Sequence, residues 1–585
     1  MFQFMKGYVW LPENLKKYRG ALAVFSVLWI MVCTLLLIPQ MSGGILFFIE
    51  QWILNRPLGN PLHWQQTLRV YGLSGIITPL LFFFCAALFI RNKYLFKNEK
   101  NIKGLCYGSI LLVTASMIWL IMYRTAWILS DDHMFLGTTA VNKYLPFDIY
   151  AGGRFFPLGH FHYNILLPIS HLLGWREIPA SAHFALNTVI YAVSVLFLYL
   201  LFRDIEPAKN RKQPYIDAFF LCLFPFFSVA CVMVFMQCIF PETILTVLLA
   251  GFMLCYYQAL KTNKGVYYSI ALLFALYSTY CKEPVFGIFV IIALTNFIFG
   301  NKQQAAGSRF FHIALAVNAV LFVILYYLLS YSKAEGFYNE GRVEQNIIKS
   351  FVIIVIQNKL FLLMIPLCII RLFFVLVKKD RSRLYYDSLL FAGVGYIAAY
   401  VILRLNASYY FFPAFILSLP SFVYWGKYLY LNNNKIYLVM FLLPILMISG
   451  LNFGEAILSA KDIISQRKDT MPFINALLMN HENGKRILWY ELDSRNEENT
   501  FYITARNWQK HVINAFMSYA EKTDQDYLIV SEDIEQLDKN DILLYPKANK
   551  HYQPISEDVL MILRDRGFEL DTDFFNIYMY KYTGE

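Results

Sequence analysis

Stretches of about 20 apolar residues, the length a helix needs to cross a bilayer core, recur through the first 458 residues of this chain. They occupy 21–39, 70–90, 105–128, 183–202, 216–236, 242–260, 266–280, 285–300, 311–331, 360–377, 389–403, 409–425 and 436–458. In lipid each backbone N–H and C=O must find a partner inside its own segment, so isolated runs of this kind fold as helices. The pattern predicts a polytopic α-helical membrane protein with about thirteen transmembrane helices. Composition agrees, with 58% hydrophobic and 16% charged residues, against roughly 45–50% and about 25% in soluble domains. The 52 Phe, 41 Tyr and 10 Trp exclude a disordered chain, because that much apolar area must be covered by lipid or protein.

Charge orients the spans. With the N-terminus inside, the turns on the cytoplasmic side carry twenty-three Lys and Arg and the opposite loops eleven, although the latter are longer in total. This positive-inside bias puts the loops 129–182 and 332–359 and the tail 459–585 outside the cytoplasm. The first span is too long for a removable signal peptide and is read as a retained helix. The tail carries 15 basic against 22 acidic residues and alternates strand-like runs (486–491, 527–530, 542–545, 575–582) with helix-like ones (513–522, 557–566), which predicts a small extracytoplasmic α/β domain. The chain is thus read as a transmembrane domain over 1–458 and a soluble domain over 459–585. The net charge of +11 sits in short clusters between spans, where it orients helices rather than tracks phosphates, so nucleic acid is excluded as a partner. Nine Cys without a CxxC spacing give neither a zinc motif nor a disulfide framework and read as buried thiols.

Polar chemistry concentrates in the loop 129–182. It opens on Ser130-Asp131-Asp132-His133, and two adjacent carboxylates at the mouth of an apolar bundle suit proton abstraction from a hydroxyl or the holding of a divalent cation. Helix capping is the alternative, since Ser and Asp accept orphan backbone N–H bonds. Downstream, GGRFFPLGHFHYN (152–164) combines Arg154, His160 and His162 with interleaved aromatics. The His-x-His spacing fits ligation of a metal together with an Asp, and the aromatics beside Arg fit equally an interfacial segment lying on the membrane. Whether a metal binds stays open. Glu242 after Pro241, Lys282 and Glu283 before Pro284, and Arg404 stand at the outer ends of apolar spans. Cations there suit a phosphate and carboxylates a hydroxyl, with snorkelling of Lys282 and Arg404 as the plainer reading.

Three short strings carry a resemblance: SDDHMFLG (130–137), YCKEPVFGIF (280–289) and SYYFFPAF (408–415). With the many spans and an outer C-terminal domain, they make the chain resemble the GT-C superfamily of membrane glycosyltransferases, which includes protein O-mannosyltransferases and lipid A aminoarabinose transferases. The match departs from the family in two places. The acidic pair follows the third span rather than the first, and Ser408 or Tyr409 stands where a basic residue is often found, a cation that Arg404 can replace. The resemblance implies transfer of a sugar from a polyprenyl-phosphate carrier to a hydroxyl of a glycan, lipid or protein acceptor, with inversion at the anomeric carbon. It gives the base role to Asp131 with Asp132 as secondary partner, the donor phosphate to Lys282 and Arg404, and further substrate contacts to Arg154, His160, His162, Glu242 and Glu283. The resemblance assigns no definite cofactor, and a divalent cation stays open. A polysaccharide polymerase or ligase, or a transporter of lipid-linked glycans, are the competing readings. The crowding of ionisable residues at one face and the lack of repeated halves favour the enzyme over the transporter. An Asn- and Lys-rich chain with one sequon at a membrane edge points to a bacterial inner membrane, with the C-terminal domain in the periplasm or outside.

Overall fold

The computed structural model describes residues 29, 31–48, 68–77, 99–129, 132, 135, 153–175, 178–205, 214–226, 228–300, 306–333, 347–405, 407–432, 435–490, 500–521, 526–531, 537–546, 557–574 and 577–583. Apolar runs become helices: α1 (Leu68–Ile77), α2 (Glu99–Met122), a short α3 (Leu166–Leu173), α4 (Ala180–Asp204), α5 (Pro214–Leu223), α6 (Ala230–Met236), α7 (Glu242–Thr262) and α8 (Gly265–Thr279). They continue as α9 (Val285–Phe299), α10 (Ala306–Leu329), α11 (Ile347–Gln357), α12 (Phe361–Leu376), α13 (Leu384–Ile402), α14 (Phe412–Leu431) and α15 (Lys435–Glu482). Among the described residues six helices are long and apolar enough to cross a membrane, or up to eight if each bent pair counts as one span. The chain is therefore an integral membrane protein built mostly of helices.

One run expected to be a straight span is broken, and a second break lies where the sequence reading placed the end of a loop. The stretch 216–236 splits into α5 and α6, bent by 69°, because Pro225 has no N–H to continue the ladder and sits in a 3-10 turn, Phe224–Phe226. The loop expected over 332–359 is corrected by the second break, since its residues 347–357 form the apolar helix α11, which meets α12 at an angle of 107° across Asn358 and Lys359.

Buried side chains of α2, α4–α10, α12–α15 and the tail form one continuous core. Deep in it, Lys427 of α14 pairs with Asp217 at 2.7 Å and donates to the carbonyls of Phe202 and Ile205 at 2.6 and 3.0 Å, closing the C-terminal end of α4. Arg371 of α12 forks onto Asp387 of α13 at 2.7 and 2.8 Å. Both sets are internally bonded, as charges in an apolar bundle must be.

The helix α15 is 48 residues long, so Leu458 lies within it and it runs on to the tail without interruption. The tail adds β1 (Arg486–Tyr490), α16 (Thr500–Glu521), β2 (Leu528–Ser531), β3 (Asp541–Pro546), α17 (Glu557–Asp565), β4 (Phe568–Phe574) and β5 (Ile577–Tyr582). The sheet order is β2-β1-β3-β5-β4, with β1 parallel to β2 and β3, and β5 antiparallel to β3 and β4. Strand alternation explains how it packs. Ile487, Trp489, Ile542 and Leu544 join the main core with residues of α15 and α16, while Leu488, Tyr490, Leu543 and Tyr545 form a second cluster with Leu563 of α17. The α/β expectation holds, and β4 is the strand that the sequence reading lacked.

Candidate functional site

Residues 153–164 lie against two turns. Phe155 N and Arg154 Nε both donate to Glu283 Oε1, at 3.0 and 2.8 Å. Leu158 N donates to the carbonyl of Tyr280 at 3.0 Å, and Ser330 Oγ, just past α10, to the carbonyl of Arg154 at 2.9 Å. His160 Nε2 sits 2.6 Å from the carbonyl of Ile239, which fixes Nε2 as the protonated nitrogen. Gly159 is where this segment passes closest to its neighbours. A Cβ there would lie 3.1 Å from the Cys281 carbonyl oxygen and 3.2 Å from Pro241 Cβ, so a side chain at this position would press on both turns.

The second turn carries Lys282, whose Nζ is 3.1 Å from Glu242 Oε1, with the side chains 5% and 0% exposed. Glu242 opens α7 next to Pro241. Neither of its carboxylate oxygens accepts a hydrogen bond, so the 3.1 Å contact is an ion pair without hydrogen-bond alignment. Such a pair is poorly compensated for its desolvation. Lys282 Nζ also lies 4.8 Å from the ring centroid of Tyr410 and 5.7 Å from that of Tyr409, in the range of cation–π attraction. Those tyrosines come from the 3-10 turn Ser408–Phe411. Tyr410 stacks on Tyr400 of α13 at 4.8 Å, and Tyr409 meets Phe240 at 4.4 Å.

Two opposite pairs, Arg154–Glu283 and Lys282–Glu242, therefore adjoin one another at one end of the bundle. Burial pushes the Glu283 carboxyl up, but the Arg154 guanidinium and Lys282 outweigh it and hold the group below the usual carboxylate range. Burial, with Lys282 and Arg154 adding to it against the Ile239 carbonyl, brings His160 down to about 4. Its imidazole is neutral at neutral pH. His162 is lowered further, by burial first and then by His160 and His183, and both of its ring nitrogens are buried without a hydrogen bond.

Of the acidic pair, Asp131 lies outside the described residues. Asp132 is fully buried and accepts the N–H of Ile128 at 3.2 Å through Oδ2, while its carbonyl accepts from Phe135 at 2.9 Å. It ties the loop that follows α2. Arg404 follows α13 with φ of 58°. Arg124, Asn263 and Lys379 share that left-handed conformation beside helix ends, so it is a chain-reversal device and no mark of function. The Nη1 of Arg404 is buried and has no hydrogen-bond partner. Among the described residues no group of three His, Cys, Asp or Glu is placed to hold a metal ion, and His160 has spent Nε2 on a carbonyl.

Sequence reasoning missed Arg467. Lying on α15, it donates to the carbonyls of Ile121, Tyr123 and Met236 at 3.0, 2.8 and 2.5 Å, with Phe184 beneath its guanidinium at 4.1 Å. It stands within electrostatic reach of Asp132. The available signal was the helical spacing of Ile463, Ile464, Met471, Ile474 and Leu478 around it, which continues the last apolar span past 458.

No family model matches the chain, and no curated protein does. Among solved structures, it is similar to ArnT from Cupriavidus metallidurans bound to undecaprenyl phosphate, with a TM-score of 0.44, 7% identity, and coverage of 80% of this chain and 97% of that one. The same protein in its apo state gives 0.41, 10%, 80% and 96%.

Proposed function

We propose that the chain is a GT-C-type glycosyltransferase of a cell envelope, moving a sugar from a polyprenyl-phosphate-linked donor to an acceptor hydroxyl at the outer face of a membrane of about thirteen spans. One observation carries the reading. Residues chosen from sequence at positions 154, 160, 242, 282 and 283 and the string 408–415 meet in a single charged, aromatic-lined group at one end of an apolar bundle. A lipid-linked donor asks for that combination, an apolar path beside cations and carboxylates.

In this reading Asp131 takes the acceptor's hydroxyl proton as its oxygen attacks the anomeric carbon, and the bond from that carbon to the phosphate oxygen breaks on the opposite face. Asp132 holds the loop that presents Asp131. The pairs Arg154–Glu283 and Lys282–Glu242 are each neutral overall, so they order the site and present hydrogen-bonding groups to the sugar. Arg404 has a buried Nη1 without a hydrogen-bond partner among the described residues, and in this reading it meets the leaving phosphate first. Lys282 contributes once the phosphate displaces Glu242, and the freed carboxylate then accepts a sugar or acceptor hydroxyl.

Titration of a polyprenyl-phosphate analogue tests the division of labour. Arg404→Ala is expected to weaken binding about ten- to a hundredfold, the worth of one charge-assisted bond, and Lys282→Ala to weaken it less because Glu242 already competes for that ammonium. Unchanged affinity in both variants removes them from the site. In a turnover assay with purified lipid-linked sugar, Asp131→Asn should abolish transfer while the analogue still binds, and near-normal turnover would withdraw the base assignment.

A further inference from the structure

We infer that the inward stripe of α11 is a subsite for sugar hydroxyls, an inference that rests on the transfer reaction proposed above. Positions 350, 353, 354, 357 and 358 fall on one helix face, and Asn358 continues the helix by donating its N–H to the Ile354 carbonyl at 2.8 Å. Ser350, Ile353, Ile354 and Asn358 are buried, whereas Ile347, Ile348 and Phe351 are exposed. The helix thus turns polar groups inward and apolar ones outward, the pattern of an element that lines a polar space at membrane depth. Among the described residues, Ser350 Oγ, Gln357 Oε1 and both Nδ2 and Oδ1 of Asn358 are buried without a hydrogen bond. The 107° elbow does not depend on them, since other groups tie it: Lys359 donates to Glu455 at 3.1 Å, and the Tyr71 hydroxyl to the Ile356 carbonyl at 3.3 Å.

The stripe offers a hydroxyl, an acceptor oxygen and a whole carboxamide, and no charge, because Lys359 is committed to Glu455. Buried groups of this kind are costly while unbonded. Donors and acceptors together call for a neutral ligand whose every polar group both donates and accepts, which describes a sugar hydroxyl. The register of the neighbouring helices places the stripe beside the charged group. Helices α12 and α13 form an antiparallel hairpin, in which Arg371 meets Asp387 and the Met364 methyl lies 3.5 Å from where a Cβ on Gly393 would stand. Continued towards the elbow, that register brings position 358 level with Tyr400, and α11 itself packs on α13. Tyr400 stacks on Tyr410, whose ring centroid is 4.8 Å from Lys282 Nζ, and Arg404, assigned above to the leaving phosphate, stands one turn further on. A sugar carried on that phosphate therefore lies beside Ser350, Gln357 and Asn358.

The test titrates the full-length protein in detergent with a bare polyprenyl phosphate, with the same lipid carrying glucose, mannose or arabinose, and with the free methyl glycosides of those sugars. Wild type is expected to bind at least one sugar-bearing lipid more tightly than the bare one. Asn358→Leu should cut that preference about tenfold, the worth of one or two neutral hydrogen bonds, and leave affinity for the bare lipid unchanged. Because the free protein gains nothing from an unbonded carboxamide, its thermal midpoint should hold or rise, whereas a structural asparagine would lower it. Ser350→Ala, a smaller change, is the second arm, with a loss of about threefold expected from its single hydroxyl. A loss confined to the sugar-bearing lipid identifies the donor as the source of the hydroxyls, and one confined to a methyl glycoside identifies the acceptor. Sugar-dependent binding that is absent from wild type, or equal in wild type and both variants, overturns the subsite while the bare lipid still binds. Failure of wild type to bind any of the lipids overturns the transfer reading itself, and the subsite with it.

Discussion

At the scale of single residues, the site is a set of charges that had to find partners across long stretches of chain. Glu283 is the best bonded of them, accepting from both Arg154 Nε and Phe155 N. Because its folded pKa is depressed, it contributes stability that is complete above the ordinary carboxylate range and is lost as pH falls through the folded value. Glu283→Gln should therefore lower the thermal midpoint at pH 7, by the equivalent of about 1.5 kcal/mol for a charged pair that is 26% and 18% exposed. The gap to wild type should narrow as pH falls below the ordinary carboxylate range, where the folded group at last takes up its proton. A gap that does not change with pH would show that the variant's effect is steric. His160 makes the fold acid-sensitive in the same direction. Its folded pKa of about 4 lies below the ordinary 6.5, so stability falls as pH drops from about 6.5 towards 4, when the unfolded chain takes up the proton that the buried ring resists. The presence of Lys282, Glu283, Glu242 and Arg154 at outer span ends was readable because charge is costly beside apolar runs. Their pairing was not, since Lys282 and Glu242 stand forty positions apart and nothing local says which acid meets which base.

At the scale of elements, what positions the site is the passage of one irregular segment between two turns, and Gly159 is its tightest point. Gly159→Ala puts a methyl 2.9 Å from Phe156 Cδ2, which can turn aside, but also 3.1 Å from a backbone carbonyl and 3.2 Å from Pro241, which cannot. The expected cost is roughly 1–3 kcal/mol, seen as a lower thermal midpoint with transfer activity falling alongside. An unaltered midpoint would mean the segment is looser than its contacts imply. Element type was legible wherever hydrophobic period and length agree, as over α4, α7 and α10, and in the tail where 486–490 and 577–582 alternate faces. The breaks were legible only in part. Pro225 announces the bend between α5 and α6, whereas the sharper bend at Asn358 has no proline or glycine beside it and goes with the pairing of Lys359 with Glu455 and Tyr71, a tertiary contact. Arg467 escaped for a related reason, because its three acceptors are carbonyls at helix ends, and carbonyls leave no trace in a sequence. Arg467→Met removes a donor from all three and should cost at least about 3 kcal/mol. Arg467→Lys keeps the charge but not the fork and should recover only part of it.

For the whole molecule, sidedness decides whether the chemistry proposed has its substrate. Helix α7 starts at Glu242 and has Lys261 in its last turn, and its 21 residues span about 32 Å, close to a hydrocarbon core of about 30 Å. The Lys282–Glu242 group and the basic turn with Lys261 and Lys264 are therefore at opposite faces. Helix α15 gives an independent ruler. It leaves Lys435 and, after about 20 residues, has used the same thickness, so its remaining length, with Arg467 bound to the ends of α2 and α6 near Asp132, projects beyond the face that carries the charged group and delivers the sheet to that side. The basic turns then predict that this side is extracytoplasmic. In right-side-out vesicles, an impermeant thiol reagent should label Glu482→Cys and Lys333→Cys, both exposed positions, while Lys264→Cys reacts only after the membrane is opened. Protection of all three would leave access untested only if the detergent-opened control also failed, so that control is part of the measurement. The reverse pattern, with Lys264→Cys labelled and Glu482→Cys protected, would place the site in the cytoplasm, where nucleotide sugars are at hand and the case for a lipid-linked donor loses its physical basis.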